Sequence, residues 1–339
     1  MKKRIGIIGF GKMGMLHGAL FNRLPGVELV AVADTSPFVL KIFHSLAPAV
    51  TCFASYEAMI AEMRLDALVI ATPSSSHVPI ALFALEHNLD LFIEKPLSND
   101  LESAQALYAK AKTKPIVSMV GYCLRYMPTF ERAREALRSN TIGALKRIEA
   151  EMYISDVLSP QSGWRYDPLK SGGGVVIDFT VHMLDLLYWF FGRPSNVEAT
   201  TSKLYSKLVE DEAVITFRYA DKKEALVKTS WSSAEHRKSY SKMRIIGELG
   251  EIIVTDQTLH MIDRDGRTTK ESSAGMYHGY YFDIGGPNYS VQALKFAEAI
   301  ERRANPEADI ESALVVQYLV SGVYESALTG KPIDLHYDY

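Results

Sequence analysis

Cysteine is nearly missing from this chain: Cys52 and Cys123 are the only two in 339 residues. Two thiols cannot complete a structural zinc site, and neither belongs to a Cys-x-x-Cys pair, so a zinc module and a disulfide scaffold are both excluded. The expectation is two free thiols in a reducing compartment, hence a cytoplasmic protein with no bound metal. A basic excess is missing too. The 37 Lys and Arg are offset by 40 Asp and Glu, which leaves no basic stripe for a nucleic-acid backbone. No stretch approaches the ~20 apolar residues that span a bilayer, so no membrane partner is expected. The opening MKKRIGIIGFG is broken by Gly6, Gly9 and Gly11 and has no small-residue cleavage site, unlike a secretory signal. Internal repeats and low-complexity segments are also absent.

What is there is an ordinary globular composition in a chain longer than one hydrophobic core usually supports, so two domains are expected. The first third alternates short apolar runs with helical patterns. Strands are predicted at Ile5–Ile8, Glu28–Ala33, Ala67–Ala71, Leu89–Ile93 and Ile116–Val120. Helices are predicted at Lys12–Leu24, Pro37–Leu46, Val78–His87 and Leu101–Lys112. Such alternation means an α/β domain with a doubly wound parallel sheet. After about residue 124 the rhythm changes. A helix over Met127–Ser139 leads into a strand at Lys146–Met152, and Gly172-Gly173-Gly174 opens a long helix over Val175–Phe191. Six two-periodic runs follow between Asn196 and Asp263 without intervening helices, the mark of a largely antiparallel sheet. Helical patterns return at Ser290–Arg303 and Ile310–Leu328. The division is therefore residues 1–123, a dinucleotide-binding domain, and 124–339, an α+β domain with helices on one face of its sheet.

GFGKMG (Gly9, Phe10, Gly11, Lys12, Met13, Gly14) lies between the first strand and the first helix. In that setting the first glycine permits a tight turn, the second lets the backbone approach a pyrophosphate, and the third allows close helix–strand packing. Asp34 ends the next strand, 20 residues past Gly14, where a carboxylate accepts hydrogen bonds from a ribose and repels a 2′-phosphate. NAD is expected over NADP. Ala71-Thr72-Pro73 and Glu94-Lys95-Pro96 end two further strands, and strand carboxyl ends line the ligand crevice of such sheets. Thr72, Pro73, His77, Glu94 and Lys95 are accordingly expected near the nicotinamide half. Lys95 there can hold a substrate hydroxyl and favour its alkoxide. Taken alone it also reads as a solvated surface lysine. Pro96 admits a cis peptide bond.

The segment SGGGVVIDFTVHMLDLLYWFFG sets Asp178, His182 and Asp185 on one face of an apolar helix. Burying titratable groups is costly unless they are paired or functional. His182 can take a hydroxyl proton near neutral pH, and a neighbouring carboxylate can fix its tautomer. The bland alternative is a core histidine satisfied by two aspartates. Trp164 and Arg165 form an aromatic–guanidinium pair suited to a polyhydroxylated ligand, and Tyr277–Tyr289 is aromatic enough to wall a pocket; ordinary packing explains either as well.

Taken together, GFGKMG, VADTS, ATPSSSH, EKPLS, GYCLRY and the GGG-x3-Asp-x3-His-x2-Asp helix resemble the glucose–fructose oxidoreductase / inositol dehydrogenase / rhizopine-catabolism family of NAD(P)-dependent oxidoreductases, over nearly the whole chain. The resemblance implies a Rossmann domain, a C-terminal domain with an open-faced sheet, and a homodimer or homotetramer that buries that sheet. It implies Lys95, Asp178 and His182 as the catalytic group, with substrate contacts from Arg125, Trp164 and Arg165. One departure is visible: Cys123 stands where the family has asparagine, which puts a cofactor contact there in doubt. The implied activity is NAD-dependent oxidation of a secondary hydroxyl on a sugar, sugar derivative or cyclitol. Three alternatives stay open: an NAD-dependent glycoside hydrolase, a non-catalytic nucleotide-sensing regulator, and a reductase of C=N or C=C bonds. All of this requires an ammonium from the amino-terminal half and an imidazole from the carboxy-terminal half to serve one reaction.

Overall fold

The computed structural model describes residues 2–276 and 285–339. The described chain divides into two compact units, one of residues 2–122, 285–314 and 339, the other of 123–276 and 315–338.

The first unit is built on a six-stranded parallel sheet. Its strands are β1 (Lys3–Ile8), β2 (Val27–Ala33), β3 (Thr51–Phe53), β4 (Ala67–Ile70), β5 (Asp90–Ile93) and β6 (Ser118–Val120), in the order β3-β2-β1-β4-β5-β6. This is the Rossmann order, which reverses direction between β1 and β4. The connections are α1 (Lys12–Phe21), α2 (Pro37–Leu46), α3 (Tyr56–Glu62), α4 (His77–Glu86) and α5 (Leu101–Ala111). β4 and β5 are buried at every position, which is why they read as apolar runs rather than as alternation; the one exception, Asp90 at the start of β5, is met by Arg303. The helix starts follow capping chemistry: the Ser36 side chain accepts from Val39 N–H with Pro37 next to it, and Asp100 accepts from Ser103 N–H. β3 and α3 were not expected; three and seven residues are too short to display a period.

In the second unit, α6 (Pro128–Arg138) precedes β7 (Leu145–Tyr153), and the short α7 (Pro168–Ser171) precedes α8 (Val181–Phe191). Then come β8 (Asn196–Ser202), β9 (Glu212–Arg218), β10 (Glu224–Ser230), β11 (Tyr240–Gly247), β12 (Gly250–Thr255), β13 (Thr258–Asp263) and β14 (Thr268–Ser272). With β15 (Ile333–Asp334) they form a nine-stranded sheet in the order β14-β13-β12-β11-β7-β10-β9-β8-β15. Every neighbouring pair is antiparallel except β7 with β10. The expected α/β plus α+β architecture is what the structure shows. Ile148, Ala150 and Met152 on β7, and Ala213, Ile215 and Phe217 on β9, turn one sheet face inward, while their neighbours remain more exposed. β14 was missed because TTKES carries no apolar alternation.

Two expectations need correction. The stretch Pro168–Phe191 is long and apolar enough by composition to cross a bilayer, although no such run was expected. It is a core element instead: 61% of its most apolar window is buried inside the protein, and it carries Asp178, His182 and Asp185. The domain division also changes. The break after 122 falls beside the expected one, but residues 285–314, including α9 (Pro287–Arg302), belong to the first unit. The cause is packing. The Phe296 ring lies 6.1 Å from Phe21 and 5.6 Å from Phe92, and Val120 N–H donates to the Ala308 carbonyl. The last long helix, α10 (Ile310–Thr329), starts in one unit and ends in the other.

Candidate active site

In the first unit, the three glycines of GFGKMG meet three different demands. Gly9 has φ +82°, and a Cβ on it would come within 2.8 Å of the Ala71 carbonyl oxygen. A Cβ on Gly14 would lie 2.0 Å from the Gly9 carbonyl oxygen, so helix α1 packs there only without a side chain. Above Gly11 there is open space, with nothing within 4 Å of a built Cβ. Gly11 is also the N-cap of α1, and no side chain caps the first N–H groups, from Lys12 onward. Beside it, Asp34 is held by two backbone donors, Phe10 N–H at 2.7 Å and Ser36 N–H at 2.8 Å. The Phe10 ring itself is buried against Phe43. The Thr72 methyl abuts Gly9, and its buried hydroxyl makes no hydrogen bond among the described residues. An open helix N-terminus, a pre-oriented carboxylate and an unsatisfied hydroxyl fit a dinucleotide.

The ends of β4 and β5 come together in the same unit. His77 opens α4 and is buried; its Nδ1 lies 2.8 Å from the Pro96 carbonyl oxygen and its Nε2 2.9 Å from that of Thr72. The expectation of a cofactor contact from His77 thus meets a ring engaged on both nitrogens by backbone. Carbonyl oxygens only accept, so both contacts are made fully only by the doubly protonated ring. Burial lowers its pKa, against the pull of the two carbonyls and the Glu94 charge. Glu94 is buried as well, with Oε1 2.6 Å from His17 Nε2 and Oε2 accepting from Lys95 N–H at 3.1 Å. Lys95 is half-buried, Pro73 sits in the preceding turn, and the Lys95–Pro96 peptide is cis.

In the second unit, the chain forms a π-helical turn over Val176–Thr180 before continuing as α8. Such turns are rare and cluster at functional sites. Asp178 sits in that turn and His182 follows in the first turn of α8. The N-terminus of this helical run is closed by one residue, Glu210. Its carboxylate accepts from Gly174 N–H at 2.9 Å and Val176 N–H at 3.0 Å, and its backbone carbonyl accepts from Val175 N–H at 2.9 Å. Tyr324 adds a hydroxyl donor at 2.9 Å. Burial pushes the Glu210 carboxyl up, and these donors act against it. The glycine run follows from this cap: a Cβ on Gly174 would lie 2.1 Å from the Glu210 carbonyl oxygen, and one on Gly173 2.0 Å from the Tyr324 hydroxyl.

Arg165 does reach Asp178. Its Nη2 lies 2.5 Å from Asp178 Oδ2, its Nη1 3.0 Å from Asp156 Oδ2, and its guanidinium stacks 5.6 Å from the Trp231 ring. Burial opposes the charge on Arg165, but the two carboxylates outweigh it and hold the guanidinium charged. Trp164 lies half-exposed on the same short helical turn. Arg125 does not have an open guanidinium. It is 3% exposed and donates twice to Asp185, from Nε at 2.7 Å and from Nη2 at 2.6 Å. Asp185 therefore serves Arg125, not the neighbouring imidazole. Cys123 is buried and is not in a disulfide. Of the aromatic stretch Tyr277–Tyr289, residues 277–284 lie outside the described residues.

Sequence reading missed His17, Asp156, Glu210 and Tyr324. A polar residue inside the apolar run of α1 was a signal for His17; Asp156, Glu210 and Tyr324 are 22, 32 and 146 positions from Asp178, and only the fold brings such residues together.

Comparison with known proteins identifies the family and the fold. Residues 3–122 match the model of an oxidoreductase family with an NAD-binding Rossmann fold, and residues 130–253 match the GFO/IDH/MocA C-terminal domain. Inositol 2-dehydrogenase of Rhizobium meliloti (strain 1021) is 25% identical, over 99% of this chain and 100% of its own length. scyllo-Inositol 2-dehydrogenase (NAD(+)) of Bacillus subtilis (strain 168) is 28% identical over 56% of this chain and 54% of its own length. A solved levoglucosan dehydrogenase in complex with NADH shares the fold, with a TM-score of 0.90 and 22% identity over 100% of both chains. The chain is an NAD-binding oxidoreductase and belongs to the GFO/IDH/MocA family.

Proposed function

We propose that this chain oxidises a secondary hydroxyl on a small polyhydroxylated ring, a cyclitol or a sugar, with Lys95, Asp178 and His182 as the catalytic group. The observation that carries the reading is the fixed helical run of the second unit. An imidazole stands four residues after a carboxylate that Arg165 already orients, and Glu210 immobilises the start of that run. Such rigidity is what general acid–base catalysis needs. Inositol and levoglucosan, the ring substrates in the relatives' names, support the substrate class.

NAD, when bound at the Gly11 end of α1, supplies the acceptor for the hydrogen and electron pair leaving the carbon. His182 takes the hydroxyl proton. Its Nδ1 is buried, and the substrate contact is assigned to Nε2. The Lys95 ammonium donates to the same oxygen and stabilises its developing charge. Asp178, held in place by Arg165, orients the polar groups of the site beside His182. Trp164 and Arg165 offer an apolar face and hydrogen-bond donors to the remaining hydroxyls. Asp34 excludes a 2′-phosphate by charge, which favours NAD over NADP. A cytoplasmic homodimer or homotetramer, assembled over the more exposed face of the nine-stranded sheet, completes the reading.

The test is a screen of myo-inositol, scyllo-inositol, levoglucosan and common aldoses for NAD⁺ reduction, with the parent chain beside His182→Ala. The expected result is turnover of at least one ring polyol, lowered by roughly 10²–10⁴-fold in the variant while NAD⁺ binding survives. Parental turnover by His182→Ala would remove the imidazole from the mechanism.

A further inference from the structure

The first unit holds two buried histidines that the proposed chemistry leaves without a task, and they engage the residues on either side of one lysine. His17, on α1, is 1% exposed and its ring packs 4.7 Å from Phe92. Its Nε2 lies 2.6 Å from Glu94 Oε1, and the other carboxylate oxygen accepts the Lys95 N–H at 3.1 Å. His77, at the start of α4, is also 1% exposed and spans the Pro96 and Thr72 carbonyls at 2.8 and 2.9 Å. The residue before Lys95 is thus held through its side chain, and the residue after it through its carbonyl. A third element leaves room for the grip: a Cβ on Gly121 would come within 2.9 Å of Glu94 Oε2 and 3.2 Å of Lys95 N.

Burying a carboxylate and two imidazoles is costly, and apolar residues would fill the same space at less expense. What a hydrogen-bonded pair provides and an apolar contact lacks is direction. Lys95 has a long, flexible stem, so the point from which its ammonium reaches depends on how firmly its backbone is set. We infer that His17 and His77 are positioning residues for Lys95, acting through the Glu94 carboxylate and the Pro96 carbonyl. This rests on the reading above that Lys95 takes part in the reaction.

The experiment compares His17→Ala, His17→Gln, His77→Ala, His77→Asn and Gly121→Ala with the parent, each also in a Lys95→Ala background. Three quantities are read: the NAD⁺ dissociation constant, turnover of levoglucosan and myo-inositol, and the rate at which trace acetic anhydride labels the Lys95 amine. Lys110, on the far helix α5, is the internal control for labelling. The alanine variants and Gly121→Ala should lower kcat by about 10–100-fold, the scale of a small misplacement of a catalytic group. KM and NAD⁺ affinity should stay within about threefold, and His17→Gln and His77→Asn, which keep one polar partner each, should recover part of the loss. Lys95 labelling should change while that of Lys110 does not. In the Lys95→Ala background the second substitution should have no further effect on kcat. Folded variants with parental Lys95 labelling overturn the inference, whether or not either sugar is turned over. Turnover retained by Lys95→Ala overturns the underlying role of Lys95 instead, and the labelling comparison then still decides whether the histidines position it.

Discussion

The Arg125–Asp185 pair gives the sharpest quantitative expectation. Both side chains are almost fully buried, 3% and 1% exposed, and joined by two hydrogen bonds of 2.7 and 2.6 Å. Burial pushes the Asp185 carboxyl up, and only the Arg125 charge and hydrogen bonds act against it. Removing one partner leaves the other charge buried and uncompensated, a loss of about 3–5 kcal/mol. Asp185→Asn should therefore lower the melting temperature by about 6–20 °C, taking roughly 2–4 °C per kcal/mol for a unit of this size. Replacing both partners by apolar residues of similar volume, Arg125→Met with Asp185→Leu, should cost less than either single change, because no orphaned charge remains. The assays are thermal and denaturant unfolding of the single and double variants, with the pH dependence of kcat measured below their melting points. Because Asp185 does not attend His182, the pH profile of Asp185→Asn should match the parent. Stability within about 1 kcal/mol of the parent, or an unfolded double variant, would refute the energetic reasoning. A displaced pH profile at full stability would return Asp185 to the acid–base machinery.

Other expectations follow from single features. Gly11→Ala meets no atom within 4 Å and keeps φ near −72°, so its stability should stay within about 1 kcal/mol while NAD⁺ affinity falls in a titration. Gly14→Ala would set a methyl 2.0 Å from the Gly9 carbonyl oxygen and should lose both stability and binding. Equal NAD⁺ affinity in Gly11→Ala would show that the loop does not approach the pyrophosphate. Asp34→Ala should narrow the preference for NAD⁺ over NADP⁺ in the same titration, since the carboxylate is what repels the extra phosphate. Asp211 is fully buried; burial alone would raise its pKa, but donors including Trp231 Nε1 at 2.6 Å and the N–H groups of Tyr205 and Ser206 at 2.8 Å hold it below the usual carboxylate range. A depressed folded pKa stabilises above the unfolded value and fades as pH falls through the folded one, so this contribution should begin to fade below about pH 4 and be lost below the folded value. Unfolding free energies measured from pH 7 to pH 2 should show a shallower acid limb for Asp211→Asn than for the parent.

Two parts of the molecule show where local information ends. GFGKMG was legible because each glycine answers to neighbours a few residues away or to the strand it follows, and Asp34 lies a fixed distance on. The burial of β4 and β5 was legible for a similar reason: a strand covered on both faces is mostly apolar, and here only Asp90 breaks the run, paired with Arg303. The helix with Asp178 and His182 was also visible, since period and spacing are properties of one segment. Its partners were not. Glu210 caps that helix from the edge of another strand, Tyr324 approaches from α10, and Asp185 is matched to Arg125 rather than to the histidine beside it. In the first unit, α9 returns to pack Phe296 against Phe21 and Phe92 across more than 200 intervening residues. The sequence by itself determined the types of the longer elements, the cofactor loop and the family. Which buried charge meets which partner was decided only by tertiary structure, because pairing depends on distance in space, and spacing along a chain encodes that distance only within a single helix, strand or turn.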